Sequence, residues 1–250
     1  MLLFQRILGF HKDKNPADRR DDQRYCISPR FPLQAVLNVV SRDDDGHRLD
    51  AHEGGDRAWT GRLINISRAG ARLQLPRPVA AQPGEMCLLK LDLEGNLLEL
   101  KGRVAHMTER RDSMVLGLLL DPIAAGRRMA YDQFIELIAL GATLKPSRPL
   151  QPHDANYLIE EYEGEPGARL NVWRSYAGRD VAAFEFRFCD FRVRGLAGHP
   201  GLEFLPASED EGVVAPEQSA EISRLFHWVV PNLPTAVPAD VREFLLHYAA

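Results

Sequence analysis

The chain has 250 residues, of which 45% are hydrophobic and 26% are charged, and its formal net charge is −4. This composition is typical of one large or two small globular domains, and it excludes a chain that is disordered, collagenous or a coiled coil throughout. The small net charge gives no indication of a nucleic-acid partner. No apolar run reaches the roughly 18 residues that a membrane span requires, so we expect no transmembrane segment.

The cysteines and histidines indicate neither a disulfide framework nor a metal site. The three cysteines, Cys26, Cys87 and Cys189, lie far apart in the sequence, and no C-x-x-C motif occurs. This sparse, odd number favours a reducing cytoplasm. The polar stretch 42–57 contains four side chains of metal-ligating types, His47, Asp50, His52 and Asp56. Their spacing fits no metal template, so we expect a solvated loop and no metal or redox cofactor.

The first part of the chain predicts a flexible arm followed by a β-barrel. Residues 1–32 are polar from residue 11 onward and end in two prolines, so they are predicted to form an N-terminal segment without its own core. Short, evenly spaced apolar runs then predict six strands: Leu33–Ser41, Trp59–Ile66, Ala69–Leu75, Cys87–Leu93, Leu97–Met107 and Ser113–Leu120. With no helix between them, they predict a six-stranded antiparallel barrel.

A helix and a second domain are predicted after the barrel. Apolar residues at helical spacing over Ala125–Gly141 predict a helix that covers an end or side of the barrel, so that the barrel domain spans 33–143. The prolines of 144–156 predict a semi-rigid linker. Residues 157–250 are predicted to form a small α+β domain with two C-terminal helices, and the fold is therefore mainly β with an α+β second domain. In this domain the arginines 187, 192 and 194 could share one strand face, with His199 beyond, either as a docking patch or as a solvated face.

Two short motifs point to a function. Arg20 and Arg24 form R-x-x-x-R in the arm, and Asn65, Ser67 and Gly70 form N-x-S-x-x-G at the turn between two predicted barrel strands. With so many arginines in the chain, about 2.6 R-x-x-x-R matches are expected by chance, whereas only about 0.07 matches are expected for the second motif. A further R-x-x-x-R, Arg68 and Arg72, lies inside a strand pattern.

In this order and on such a barrel, the two motifs resemble the PilZ family, whose members are receptors for the bacterial second messenger cyclic di-GMP. The resemblance covers roughly Arg19–Gly141 and does not extend to the second domain. It implies that Arg20, Arg24, Asn65, Ser67 and Gly70 contact the ligand. Further ligand contacts are possible from three neighbouring arginines, Arg19, Arg30 and Arg68.

The chemistry of these residues agrees with that ligand. A guanidinium can donate two hydrogen bonds to O6 and N7 of guanine, or can bind a phosphate in the same bidentate way. The Asn65 amide can meet the edge of a second guanine, and Ser67 supplies a hydroxyl for a phosphate or for the turn backbone. Gly70 allows a positive φ or a close approach of the ligand.

Alternatives remain for several of these residues. Asn65 and Ser67 could form only an Asx or ST turn, and Arg20 and Arg24 could pair with the neighbouring aspartates instead of a ligand. In a different register Arg30 would be the second arginine of the motif, and Cys26 would occupy the position of the first.

Three functional hypotheses follow. The first is a cyclic di-GMP receptor that changes its contact with a protein partner. The second is a degenerate adaptor of the same fold that binds a partner without nucleotide. The third, an enzyme, has no support because no nucleophile–base pair or catalytic motif is found.

Overall fold

The computed structural model of the chain describes residues 23–39, 57–207 and 214–249. Internal contacts divide the chain into two compact units, and the boundary lies between Ile135 and Glu136. The arm residues before 23 and the loop 40–56, with its four candidate metal ligands, lie outside the described residues. Each unit is described separately below.

The first unit is a closed antiparallel barrel. Its strands are β1 Tyr25–Cys26, β2 Leu33–Val39, β3 Arg57–Ser67, β4 Gly70–Pro76, β5 Met86–Leu93, β6 Asn96–Glu109 and β7 Ser113–Leu120. The strand order is β1–β3–β2–β5–β6–β7–β4, and β3 also pairs with β4, so the six long strands form a closed sheet. The predicted six-stranded barrel is confirmed. The two-residue strand β1, which the sequence did not predict, pairs with one end of β3.

Alternation of side chains builds the barrel core. In β5 the odd-numbered residues Cys87, Leu89, Leu91 and Leu93 are at most 4% exposed, while the residues between them are only partly buried. This period of two is the pattern expected of a strand with one face in a core. Burial also raises the pKa of the Cys87 thiol to about 12, so this cysteine is protonated at neutral pH.

The helix predicted after the barrel is present as α1, Ala125–Ala142. Its first turns contact the barrel where β3 and β4 join. The buried Tyr131 hydroxyl donates a hydrogen bond of 2.7 Å to the Ser67 carbonyl, and Arg68 forms an ion pair of 3.1 Å with Asp132. The start of the helix is therefore fixed to the end of the barrel that carries the N-x-S-x-x-G motif.

The second unit combines one sheet with two helices. Its elements are β8 Lys145–Pro152, β9 Tyr157–Glu163, β10 Arg169–Ser175, β11 Val181–Phe188, β12 Phe191–Leu196, β13 Glu203–Pro206, α2 Pro216–Val229, a short 3-10 helix Val230–Asn232, and α3 Ala239–Tyr248. The strand order is β13–β12–β11–β10–β9–β8. One sheet face is buried against the helices, and Phe184 of β11 stacks on Phe226 of α2 with a centroid distance of 5.6 Å.

The linker predicted over 144–156 is corrected by the structure, because Lys145–Pro152 is a strand of the second sheet. It pairs with β9 as an edge strand, with irregularities around Arg148. Prolines are tolerated at an edge because one row of backbone N–H groups there has no strand to pair with. The prolines thus mark a protected sheet edge rather than a spacer.

A buried ion cluster joins the second sheet to α3. Arg174 is 7% exposed, and its guanidinium donates to Glu160 at 2.7 Å, to Asp240 and to the Arg179 carbonyl at 2.9 Å. The Tyr162 hydroxyl donates to the other Glu160 oxygen at 2.7 Å. The hydrogen bond from Arg174 lowers the pKa of Asp240. The network therefore connects β9, β10 and the first turn of α3.

We expect Arg174→Leu to lower the free energy of unfolding by about 3–5 kcal/mol, because the largely buried Glu160 would keep its charge without a cation. The matched change Arg148→Leu breaks an ion pair with Glu161 in which the arginine is 64% exposed, and it should cost less than about 1 kcal/mol. Urea unfolding of both variants measures the difference. Equal losses would show that the cluster does not stabilise the unit.

Candidate functional site

The candidate site lies where β1 pairs with the end of β3. Tyr25 is opposite Ile66 and Cys26 is opposite Asn65, so Arg24 comes immediately before this pairing, at the level of Ser67. Asn65 and Ser67 end β3, and Gly70 begins β4. Arg19 and Arg20 lie outside the described residues. The strand pairing therefore brings the second arginine of the R-x-x-x-R motif to the N-x-S-x-x-G turn.

Three of the predicted residues converge on the outer surface of the barrel. Arg24 is exposed, and its Nη1 donates a long hydrogen bond of 3.5 Å to Oδ1 of Asn65. A Cβ atom placed on Gly70 would lie 3.6 Å from Nη2 of Arg24. The guanidinium therefore extends over the turn between β3 and β4. The weak contact with Asn65 leaves hydrogen-bonding capacity on both groups.

Ser67 has a structural role in the turn. Its side chain is buried, at 2% exposure, and its hydroxyl donates to the Gly70 carbonyl at 3.4 Å. Its own carbonyl accepts the bond from Tyr131. Burial raises the pKa of Tyr131, which keeps this hydroxyl protonated as a donor. The Ser67 hydroxyl therefore bonds the backbone of the turn, although it donates to a carbonyl and does not accept an N–H as it would in an ST turn.

Gly70 is required for a reason other than a left-handed backbone. The glycines with positive φ among the described residues are Gly84, Gly95, Gly167 and Gly198. A Cβ on Gly70 would instead lie 2.8 Å from the Leu118 carbonyl of β7. The positive φ considered for Gly70 is therefore wrong, and the close approach comes from the neighbouring strand. Glycine is needed because β4 and β7 pack together at the closure of the barrel.

The two alternative arginines, Arg30 and Arg68, are held differently from Arg24. Arg30 is in the connection between β1 and β2, where its backbone N–H donates to the Ser28 hydroxyl oxygen at 3.2 Å. This connection comes after the pairing of Cys26 with Asn65 and before the pairing of Ala35 with Gly61. It therefore lies beside a part of β3 that is further from the turn than Arg24 is. Arg68 is at the turn but is held by Asp132 of α1. In the described part of the arm, Arg24 contacts the motif, at Asn65 and Gly70.

A known family matches the part of the chain that forms the barrel. The model of the PilZ domain matches residues 18–137, a range that includes both motifs, the barrel and most of α1. This chain carries a PilZ domain. No curated protein matches the chain.

Two solved structures are similar to the chain, at low identity. The PilZ domain of YcgR from Escherichia coli with c-di-GMP is 14% identical over 47% of this chain and 89% of that chain, with a TM-score of 0.34. PlzA from Borreliella burgdorferi in complex with c-di-GMP is 11% identical over 82% of this chain and 94% of that chain, with a TM-score of 0.31.

The PilZ barrel also places two residues beside the motif that the sequence analysis did not assign to the site. Asn65 is opposite Arg72 on β4, Arg72 is opposite Gly117 on β7, and Gly117 is opposite His106 on β6. Residues directly opposite in antiparallel strands share a face. Arg72 and His106 therefore extend the surface of Asn65 across the outside of the barrel.

Asn65, Arg72, Gly117 and His106 form one row across the barrel, and the local structure of this row is unusual in two ways. The exposed His106 ring lies over Gly117, since a Cβ there would be 2.0 Å from Cε1 of the ring. Nε of Arg72 is buried and has no hydrogen-bond acceptor among the described residues. Arg72 belongs to the R-x-x-x-R match inside a strand. The pairing of β3 with β4 shows that Arg72 neighbours Asn65, and the sequence motif gives no information on that pairing.

A cleft of about 320 Å³ lies on the other side of the turn, between the barrel and α1. Its lining includes Arg68, Asp121, Arg128 and Asp132, so basic and acidic groups balance there. Among the described residues no group of three or more histidines, cysteines and acids is arranged to hold a metal. No helix in the described parts of the chain is long and apolar enough to cross a membrane.

We expect Gly70→Ala to destabilise the PilZ domain by about 1–3 kcal/mol, because the added methyl group would overlap the backbone of β7. The control is Gly126→Ala near the start of α1, where an added Cβ meets no atom within 4 Å. That change should leave stability unchanged or raise it by up to about 1 kcal/mol. Thermal unfolding compares the two variants. A Gly70 variant as stable as the wild type would contradict the close packing of this glycine against β7 as the reason for its presence.

Proposed function

We propose that this chain is a cyclic di-GMP receptor that binds the dinucleotide through its PilZ domain and responds by changing a contact with a protein partner. The observation that carries the proposal is the convergence of Arg24, Asn65 and Gly70 at the turn between β3 and β4. A cation and an amide stand there beside the turn, where Gly70 packs against β7.

The ligand offers two kinds of group that match this chemistry. Its guanines present O6 and N7 as paired acceptors, and its phosphates are anions that a guanidinium binds through two parallel hydrogen bonds. Arg24 can donate to either group, and the Asn65 amide can both donate to and accept from a guanine edge. Ser67 acts in this proposal mainly by fixing the turn, since its hydroxyl is buried.

The neighbouring row gives the ligand a longer surface. Three inter-strand spacings separate Asn65 from His106, or about 14 Å across the sheet. The His106 ring can stack on a base, and Arg72 can supply hydrogen bonds to a phosphate or a guanine. We propose that Arg20 joins Arg24 on the ligand, so that the arm is drawn onto the barrel when the ligand binds.

The output in this proposal is a binding event rather than a reaction. A ligand held by the motif arginines changes the surface around the turn, and a partner that contacts this surface would bind differently with and without ligand. The ligand can shift the equilibrium between two arrangements of this surface only by as much as its affinity for the two arrangements differs. The proposal therefore assigns no catalytic residue.

A second candidate function is an adaptor that keeps the barrel and binds a partner without nucleotide. The observation that favours it is the burial of Ser67, whose hydroxyl is used by the turn. Thermal denaturation of the full chain with cyclic di-GMP separates the two candidates. A midpoint that rises with ligand concentration supports the receptor, and an unchanged midpoint at saturating ligand supports the adaptor.

Replacing the motif arginines should weaken binding. We expect Arg24→Ala and Arg20→Ala each to raise the Kd for cyclic di-GMP by about 5- to 150-fold, since one bidentate contact contributes about 1–3 kcal/mol. The control Arg30→Ala should leave the Kd unchanged. Isothermal titration calorimetry on the full chain measures all three. Loss of binding in the Arg30 variant, with normal binding by the other two, would show that the register is wrong.

The proposed stacking of a base on His106 gives a separate prediction. His106→Ala should weaken binding by about 5- to 150-fold if a base stacks on the ring, since such stacking contributes about 1–3 kcal/mol. Arg62→Ala is a matched change, because this exposed arginine of β3 bonds Gln74 of β4 further from the turn. Calorimetry should find its Kd equal to that of the wild type. Equal binding by the His106 variant would limit the ligand surface to the motif itself.

A further inference from the structure

The sheet of the second unit has one face that is not covered by its helices. Residues of β10, β11 and β12 alternate between the two faces, and the buried set includes Leu170, Phe186 and Val193. The residues between them form the opposite face, which we name the outer face. Arg169 and Arg187 of this face are exposed, and Arg192 is partly exposed.

Three arginines lie side by side on the outer face. Arg169 of β10 is directly opposite Arg187 of β11, and Arg187 is directly opposite Arg192 of β12. Directly opposite side chains in an antiparallel sheet have Cβ atoms about 4.5–5.5 Å apart, and like charges at such positions destabilise the sheet. The folded unit therefore contains two unfavourable pairings that are not required to fill its core.

The middle arginine has the fewest interactions. Arg169 forms an exposed ion pair of 3.6 Å with Glu163, and Arg192 donates from Nε to the Pro206 carbonyl at 2.8 Å. The Arg187 side chain makes no hydrogen bond or ion pair with any residue that the structure describes. Its guanidinium stands between two other cations with all five donors available to an external anion.

The remainder of the outer face is different in character. The next row toward the other end of these strands contains Arg194, which bonds Glu185 at 2.6 Å and approaches Glu203 at 3.9 Å. The row after that is apolar and includes Trp173 and Leu196, the latter 53% exposed. Four residues of strand separate the arginine row from the apolar row, or about 13 Å.

We propose that the outer face binds an acidic segment of a partner protein, whose carboxylates bridge Arg187 to Arg169 and Arg192 and whose apolar side chains contact Trp173 and Leu196. Carboxylates accept parallel hydrogen bonds from guanidinium groups, and they neutralise the repulsion within the row. A nucleic acid fits less well, because its phosphates continue along the whole strand and would meet Glu161, Glu163, Glu185 and Glu203 on the same face. A peptide can instead place carboxylates at the arginines and uncharged side chains over the rest of the face.

This inference concerns the second unit and does not rest on nucleotide binding by the PilZ domain. The test uses the full chain and a fluorescent peptide of about eight residues, Glu-Asp-Glu-Leu-Phe-Glu-Asp-Glu. The variant is Arg187→Glu, and the control is Arg224→Glu, which makes the same charge change at an exposed position of α2 on the other side of the sheet. Fluorescence anisotropy is measured at about 50 mM and about 300 mM salt.

We expect the wild type and Arg224→Glu to bind the peptide with equal affinity, and Arg187→Glu to bind at least about tenfold more weakly, with binding that decreases at high salt. A peptide with Gln in place of every acidic residue should not bind. Equal binding by Arg187→Glu, or no binding by the wild type, would overturn the proposal. Stronger, Arg187-dependent binding to single-stranded DNA or to phosphatidylserine vesicles would overturn the assigned class of partner.

A stability measurement separates a binding role from a purely structural one. Arg187→Glu places a carboxylate between two guanidinium groups, so it should raise the Tm of the unit by about 1–4 °C even as peptide binding is lost. Arg224→Glu should not raise the Tm. A lower Tm for Arg187→Glu would show that this arginine stabilises the folded unit, and the proposal would then fail. Cyclic di-GMP affinity, measured in parallel, should be the same in all three proteins.

Discussion

The backbone at the turn from Ser67 to Gly70 is the constraint on which the barrel and the candidate site both depend. There β3 pairs with β4 and closes the sheet, Gly70 lies against the backbone of β7, and Tyr131 of α1 bonds the Ser67 carbonyl. Strand closure, helix attachment and the motif thus meet in a few residues. A ligand at this turn would bind to one of the most constrained parts of the unit, which limits the entropy lost on binding.

The two sides of the candidate site differ in how they are held. Asn65 and Arg72 are on barrel strands that pair on both sides, whereas Arg24 precedes a two-residue strand and reaches the turn by its side chain. A ligand at this site would therefore meet strands held on both sides and one side chain, Arg24, that reaches the turn from outside the barrel. In the second unit the arginine row around Arg187 is a separate feature that the nucleotide proposal does not use.

Local patterns predicted most of the fold. The alternation in β5 and the helical period of α1 depend on neighbouring residues, so both elements could be located from the sequence. The prolines of 145–152 misled because they forbid a central strand but permit an edge strand, and the sequence does not say which strands lie at an edge. His106 could not be placed at the site from the sequence because two further strand pairings, β4 with β7 and β7 with β6, join it to Asn65. Arg72 follows Asn65 closely in the chain, but the motif does not give the register that sets the two residues opposite each other.

The most direct test of the receptor account is an NMR titration of the uniformly 15N-labelled full chain with cyclic di-GMP. The account predicts saturable shifts of backbone amides at Arg24, Asn65 and Gly70 and along the row to His106, with much smaller shifts at residues of the barrel far from the turn. Absence of any shift at saturating ligand, or shifts confined to the second unit, would contradict it.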